Sequence, residues 1–129
     1  MAAPVTVLSH ARVVCASCTL ADTMWARLRG LMGRRALGRG EGLLLRPSGS
    51  VHTCFMRFSI DVVFLDRELE VLAVSAAVRP WRVRACRGAR AVLELPAGEA
   101  DRVGVEPGDR LTVDRPAISE TKEKLYALA

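Results

Sequence analysis

Apolar residues along this chain fall into short runs broken by turn-forming residues, and one stretch alone keeps a helical rhythm over several turns. Segments 6–14, 42–46, 51–57, 60–66, 69–78, 82–86, 91–95 and 110–114 are rich in β-branched and apolar residues, with Gly, Pro, Ser and Asp at their boundaries. That pattern predicts strands. Many short strands joined by close turns predict a mainly β domain, a small sandwich or barrel of jelly-roll-like form. Over 23–35, Met24, Trp25, Leu28, Leu31 and Met32 recur on one helical face, Asp22 can cap the start, and Gly33 or Gly38 can end it. This predicts one flanking amphipathic helix near the N-terminus, packed on the sheet. Beyond Arg115-Pro116, residues Ile118, Leu125 and Leu128 share a face, so 116–129 is expected to be a short C-terminal helix or tail outside a single domain spanning 1–115.

Composition narrows the class. Of the 129 residues 50% are apolar and 26% charged, enough to build a core and too balanced for general disorder. No apolar run approaches the roughly 18 residues of a membrane span, and 1–10 lacks both the cations and the apolar stretch of a secretory signal. A cytoplasmic, monomeric protein with no membrane association is expected. The net charge of +5 raises nucleic acid as a partner, with 13 basic against 5 acidic residues between Arg27 and Arg90. An aromatic content of 5% is too low for a base-stacking platform, so a solvated cationic surface is the preferred reading.

Four cysteines do not form a zinc pattern. Cys15 and Cys18 make one close couple, while Cys54 and Cys86 stand far apart. With no βαβ pattern around the couple, the cysteines are expected to be reduced, small apolar residues near a strand end. Gly38-Arg39-Gly40-Glu41-Gly42 has no following lysine or helix and is read as a turn, not a phosphate loop. No metal and no cofactor are called for.

Polar residues inside apolar segments carry the candidate chemistry. If Phe58 and Ser59 form a two-residue hairpin loop, Cys54 pairs with Val63, and His52, Cys54, Met56 and Asp61 share one strand face. His52 then lies too far along the strand to hydrogen-bond Asp61, so these two alone make no catalytic dyad. Asp61 and Glu94 interrupt apolar strands, and burial requires each to be paired or hydrogen-bonded. Arg27 or Arg34 on the helix are the expected partners. A structural role for these carboxylates, as ion pairs or turn caps, is weighed ahead of a shared pocket with His52.

Four motifs, taken together and in order, resemble the family known as domain of unknown function 192, over about 23–113. They are Thr23-x-x-x-Arg27-x-x-Gly30-Leu31-Met32-Gly33-Arg34, the stretch from His52-Thr53-x-Phe55-Met56-Arg57-Phe58 through Ile60-Asp61 to Asp66, Val92-Leu93-Glu94-Leu95-Pro96-Ala97-Gly98, and Gly104-x-x-x-Gly108-Asp109. The resemblance implies a compact jelly-roll-type β fold with a flanking helix and implies no particular reaction. Cys54, Ser59 and Leu69 depart from the residues common in that family, an aromatic, a proline and a turn glycine respectively. The function expected is a non-enzymatic binding domain in which Arg27, Arg34, His52, Met56, Asp61 and Glu94 form a polar face for an anionic or carbohydrate-like ligand or a protein partner. The alternatives are a hydrolase with His52 as general base, and a weak nucleic-acid binder.

Overall fold

The computed structural model describes residues 5–21 and 35–114. The expected helix over 23–35, except for Arg35, and the C-terminal segment 116–129 lie outside them. Within the described residues the chain is mainly β. Its elements in order are β1 (Val5–Ser9), β2 (Arg12–Ala21), β3 (Glu41–Leu45), β4 (Ser50–His52), β5 (Ile60–Leu65), β6 (Val71–Val78), β7 (Val83–Ala85), β8 (Ala91–Pro96), the short helix α1 (Glu99–Val103) and β9 (Leu111–Asp114).

Seven strands form one sheet in the order β6-β5-β8-β3-β2-β1-β9, while β4 and β7, among the described residues, pair only with each other. The strands do not divide into the two large facing sheets of a sandwich. Instead the sheet curls until its edges meet at one end. Glu70, just before β6, bridges Arg110, just before β9, and the Leu111 N–H donates to the Leu69 carbonyl at 2.9 Å. The result is a curled half-barrel, a shape that leaves fewer unpaired strand edges than an open sheet.

Curling produces two apolar layers. Val5, Val7, Cys15, Cys18, Leu44, Val63, Leu65, Leu93 and Leu95 pack on the concave face, where Ala100 and Val103 of α1 plug one end. Leu43, Leu45, Ile60, Val62, Phe64 and Val92 pack on the outer face, beneath Val51 of β4 and Met56. All six residues of β5 are therefore buried, which accounts for a segment that is apolar on both faces except at Asp61; a strand covered on one side alone would alternate.

Several sequence expectations need correction. The single strand over 6–14 is two strands, because His10 and Ala11 adopt left-handed backbone (φ 50° and 66°) and turn β1 directly into β2. Such a turn matches the twist of a hairpin, but it is normally marked by Asn or Gly, both missing here. Of 51–57 only Val51 and His52 are strand, at the end of β4, and the hairpin at Phe58-Ser59 does not form: β4 pairs with β7, and β5 pairs with β6 and β8. Thr53 redirects the chain, its N–H donating to the Arg82 carbonyl at 2.8 Å and its hydroxyl to the Arg79 carbonyl at 2.6 Å.

The helix α1 is held at both ends by residues from elsewhere. Asp61 Oδ2 accepts the Ala100 N–H at 2.9 Å, satisfying a donor that the first helical turn leaves free, and Arg12 Nη1 donates to the Val103 carbonyl at 2.9 Å. At only five residues, between Gly98 and Gly104, the helix depends on these contacts and on its buried face more than on propensity.

Candidate functional site

Among the described residues Asp61 is paired with no arginine. Its carboxylate, on a residue 1% exposed, is met by two main-chain donors, Ala100 on Oδ2 and Ala77 N–H at 2.8 Å on Oδ1. Ala77 lies at an irregularity where β6 slips past β5, with left-handed φ 49°. Asp61 thus fastens a bulged strand edge to the helix start, the structural role weighed first above.

The other expected site residues that the structure describes do not gather around it. Asp61 stands opposite Leu95, and Glu94 opposite Val62 and Leu43. Side chains alternate along a strand, so the two carboxylates point to opposite faces of the sheet. Glu94 is fully buried in the outer layer, where Met56 also packs. His52 follows Val51 on β4 and is half-buried, and its Nδ1 has no hydrogen-bond partner among the described residues. Arg27 and Arg34 lie outside the described residues. One common patch containing both Asp61 and Glu94 is excluded by their alternation.

The Cys15–Cys18 couple lies within β2 rather than near a strand end. Val5 pairs with Cys18 and Val7 with Cys15, so an extra residue bulges between them. The bulge puts both thiols on the concave face. Cys15 Sγ faces the Gly40 carbonyl at 3.5 Å and Cys18 Sγ the Thr19 carbonyl at 3.9 Å, and the influence of each thiol on the other holds Cys15 below the ordinary thiol value and raises Cys18, where burial adds to the rise. Among the described residues, no group of three or more His, Cys, Asp or Glu side chains is arranged to hold a metal ion.

A concave site occurs elsewhere, at the shared end of β3, β8 and β5. Register brings these ends together, since Leu45 pairs with Val92 and Leu65 with Ala91. Arg46 follows Leu45, Arg67 follows the end of β5 and Arg90 precedes Ala91, so three arginines from distant parts of the chain line one cleft of about 360 Å³. Pro47, Leu69 and Ala91 supply its apolar lining, and Asp66 its carboxylate. The walls are fixed by the main chain: Arg90 N–H donates to the Leu65 carbonyl at 2.7 Å, and Ser48 N–H to the Arg90 carbonyl at 3.0 Å. Asp66 is already engaged, its Oδ1 accepting the Glu68 and Glu70 N–H groups, each at 2.9 Å. None of the three arginines forms a side-chain hydrogen bond or ion pair among the described residues. Sequence reasoning missed this cluster, although the signal was present as an arginine at each of three neighbouring strand ends.

Comparison with known proteins fits these observations. A UPF0127 protein of Thermococcus sibiricus is 38% identical over 97 residues, 71% of this chain and 62% of that protein. A UPF0127 protein of Pyrococcus furiosus is 38% identical over 99 residues, 74% of this chain and 84% of its own length. The crystal structure of a protein of unknown function from Novosphingobium aromaticivorans superposes with a TM-score of 0.71 at 29% identity, covering 84% of this chain and 83% of that one. A Sinorhizobium meliloti crystal structure, described as a "putative transcription regulator", gives 0.74 at 25% identity and covers 86% of this chain and 92% of that one. The family model described as "Uncharacterized ACR" matches residues 5–113, and the chain belongs to that family, DUF192.

Proposed function

We propose that this chain is a non-catalytic binding domain that takes a small amphiphilic anion, a carboxylate or phosphate ester on an apolar body, in the cleft of Arg46, Arg67 and Arg90. The carrying observation is three arginines, none of them paired among the described residues, lining a cleft of about 360 Å³ together with Pro47, Leu69 and Ala91. Its size falls in the range of small-molecule pockets. Guanidinium forks bind carboxylate and phosphate oxygens in pairs of parallel hydrogen bonds, and Pro47, Leu69 and Ala91 would accept the apolar body. The one carboxylate in the lining, Asp66, is turned to its own loop by the Glu68 and Glu70 amides and competes weakly for the arginines.

Thermal melts with hexanoate, hexyl phosphate and hexanol test this reading. Both anions should raise Tm, the neutral alcohol should not, and Arg90→Ala together with Arg46→Ala should abolish the rise, while added salt weakens it. Equal effects of hexanol and hexanoate, or a rise that survives both substitutions, would refute the proposal.

A second reading retains Arg27, Arg34, His52, Met56 and Glu94, named from the sequence, as a polar face for the same class of ligand. It is favoured by the buried, unpartnered Nδ1 of His52. A pH titration of His52 by NMR with and without hexyl phosphate separates the two sites: an imidazole unmoved by ligand removes this second one. The cytoplasmic expectation is supported by the free Cys15, Cys18, Cys54 and Cys86.

A further inference from the structure

Phe55 and Trp81 are 61% and 59% exposed, with ring centroids 4.8 Å apart and planes inclined at 58°. Both hold left-handed backbone, φ 69° and 65°, an uncommon and costly conformation for bulky side chains. Thr53 fixes them there. Its buried hydroxyl accepts the Arg82 N–H at 2.9 Å, and its carbonyl accepts the N–H groups of Trp81 and Met56 at 3.1 and 3.2 Å. The aromatic pair is therefore turned outward by main-chain hydrogen bonds, at an energetic cost that packing among the described residues does not explain.

The pair sits beside an open strand edge. In the β4–β7 ladder Arg84 faces Val51, and the flanking bonds run between Thr53 and Arg82 and between Gly49 and Cys86. Antiparallel alternation then turns the main-chain groups of Val83 and Ala85 to the far side of β7, where no further strand lies among the described residues. Arg84 Nη1 occupies the Val83 carbonyl at 2.8 Å. The Val83 and Ala85 N–H groups and the Ala85 carbonyl face outward, and Val83 itself is 66% exposed. Arg79, Arg82, Arg84 and Arg87 lie on or beside this strand, all exposed, and residues 79–87 contain no carboxylate.

We propose that β7 and the Phe55–Trp81 pair form a docking site for an extended acidic segment of a partner protein, which adds to the β7 edge as a third strand. Main-chain bonds to Val83 and Ala85 supply the ladder, the arginines select acidic side chains, and the two rings receive an apolar or aromatic anchor. A second copy of this chain is disfavoured as occupant, because pairing β7 with itself sets arginine clusters side by side. Single-stranded nucleic acid would use the charge but not the edge amides, and rings inclined at 58° do not make a flat stack for successive bases.

Selection from a display library of random peptides on the full chain tests the proposal, with single-stranded oligothymidylate as the competing probe. Enriched peptides should combine Asp or Glu with aromatic or β-branched residues. Their affinity should fall at least about tenfold on Trp81→Gly, as expected for a buried anchor; glycine accommodates that left-handed φ, so the fold is spared. Val83→Pro removes an outward N–H without breaking a bond to β4 and should weaken binding similarly, and Arg82→Glu with Arg84→Glu, surface changes in case the proline perturbs the strand, should do the same. Bound peptide should slow hydrogen exchange at the Val83 and Ala85 amides. Absence of enrichment, peptides with no acidic bias, binding indifferent to these variants, or oligothymidylate binding more tightly than any peptide overturns it.

Discussion

Asp61 and Glu94 come from neighbouring strands and sit one register step apart, yet they project from opposite faces of the same sheet. Asp61 enters the concave side and accepts the Ala77 and Ala100 N–H groups, whereas Glu94 enters the outer layer between Leu43 and Val62. This alternation deprives the hydrolase alternative of Asp61 as a partner for a reacting group, because both oxygens of that carboxylate are committed to main-chain donors.

Asp61→Asn should therefore destabilise the fold without touching the anion cleft. An amide presents one acceptor oxygen where two N–H groups converge, so one buried donor faces another. The expected loss is about 1–3 kcal/mol, read as a lower urea midpoint with the hexanoate response of the folded protein intact. An unchanged midpoint would mean that the two hydrogen bonds are not needed to hold α1.

Ala11→Gly should stabilise. Ala11 is exposed and carries φ 66° in the β1–β2 turn, a conformation that costs an L-residue about 1–2 kcal/mol and glycine almost nothing, partly offset by the greater freedom of unfolded glycine. A net gain of about 0.5–1 kcal/mol is expected in chemical denaturation. A loss would contradict the left-handed turn.

The same turn illustrates what the sequence could and could not reveal. Strands β5 and β8 were legible because 60–65 and 91–95 are apolar runs bounded by turn residues, and burial on both faces makes such runs necessary. The β1–β2 turn was hidden because His10-Ala11 carries no Asn or Gly to mark it. The β4–β7 pairing was hidden because it rests on Thr53, whose hydroxyl and amide reach Arg79 and Arg82 across some 26 to 29 residues. Propensity does not encode such contacts. Arg46, Arg67 and Arg90 looked like unrelated surface charges until the register of β3, β8 and β5 aligned their strand ends, and the five residues of α1 were too few to show a period.

Gly42→Ala should be among the most damaging methyl additions. A Cβ there would lie 2.8 Å from both Cys15 Sγ and the Glu94 carbonyl oxygen, and the carbonyl belongs to a buried strand that cannot yield cheaply. Overpacking of this kind costs about 1–3 kcal/mol. A thermal melt equal to that of the parent would show that β3 and β8 are less closely apposed than described.

Acid should weaken the contact between α1 and the turn before β3. Glu99 accepts a hydrogen bond from Arg102 Nε and another from the Gly40 N–H at 3.2 Å. The Arg102 bond is the larger influence, and it holds the carboxyl below its ordinary value of 4.5 against the effect of burial. Because the folded value is the lower one, the unfolded chain takes up the proton first. The contribution is complete above the ordinary value and is lost as pH falls through the folded one. Urea midpoints of the parent and Glu99→Gln, followed from neutral to about pH 3, should differ most at neutral pH and converge in acid. Parallel profiles would contradict the assignment.

Side-chain NMR of the arginine Nε–H groups, recorded while hexanoate is added, tests the binding claim most directly. The account predicts that the Arg46, Arg67 and Arg90 signals shift together along one saturation curve, while those of Arg79, Arg82 and Arg84 stay in place. Uniform small shifts of all arginines, or saturation confined to residues outside the cleft, would contradict it.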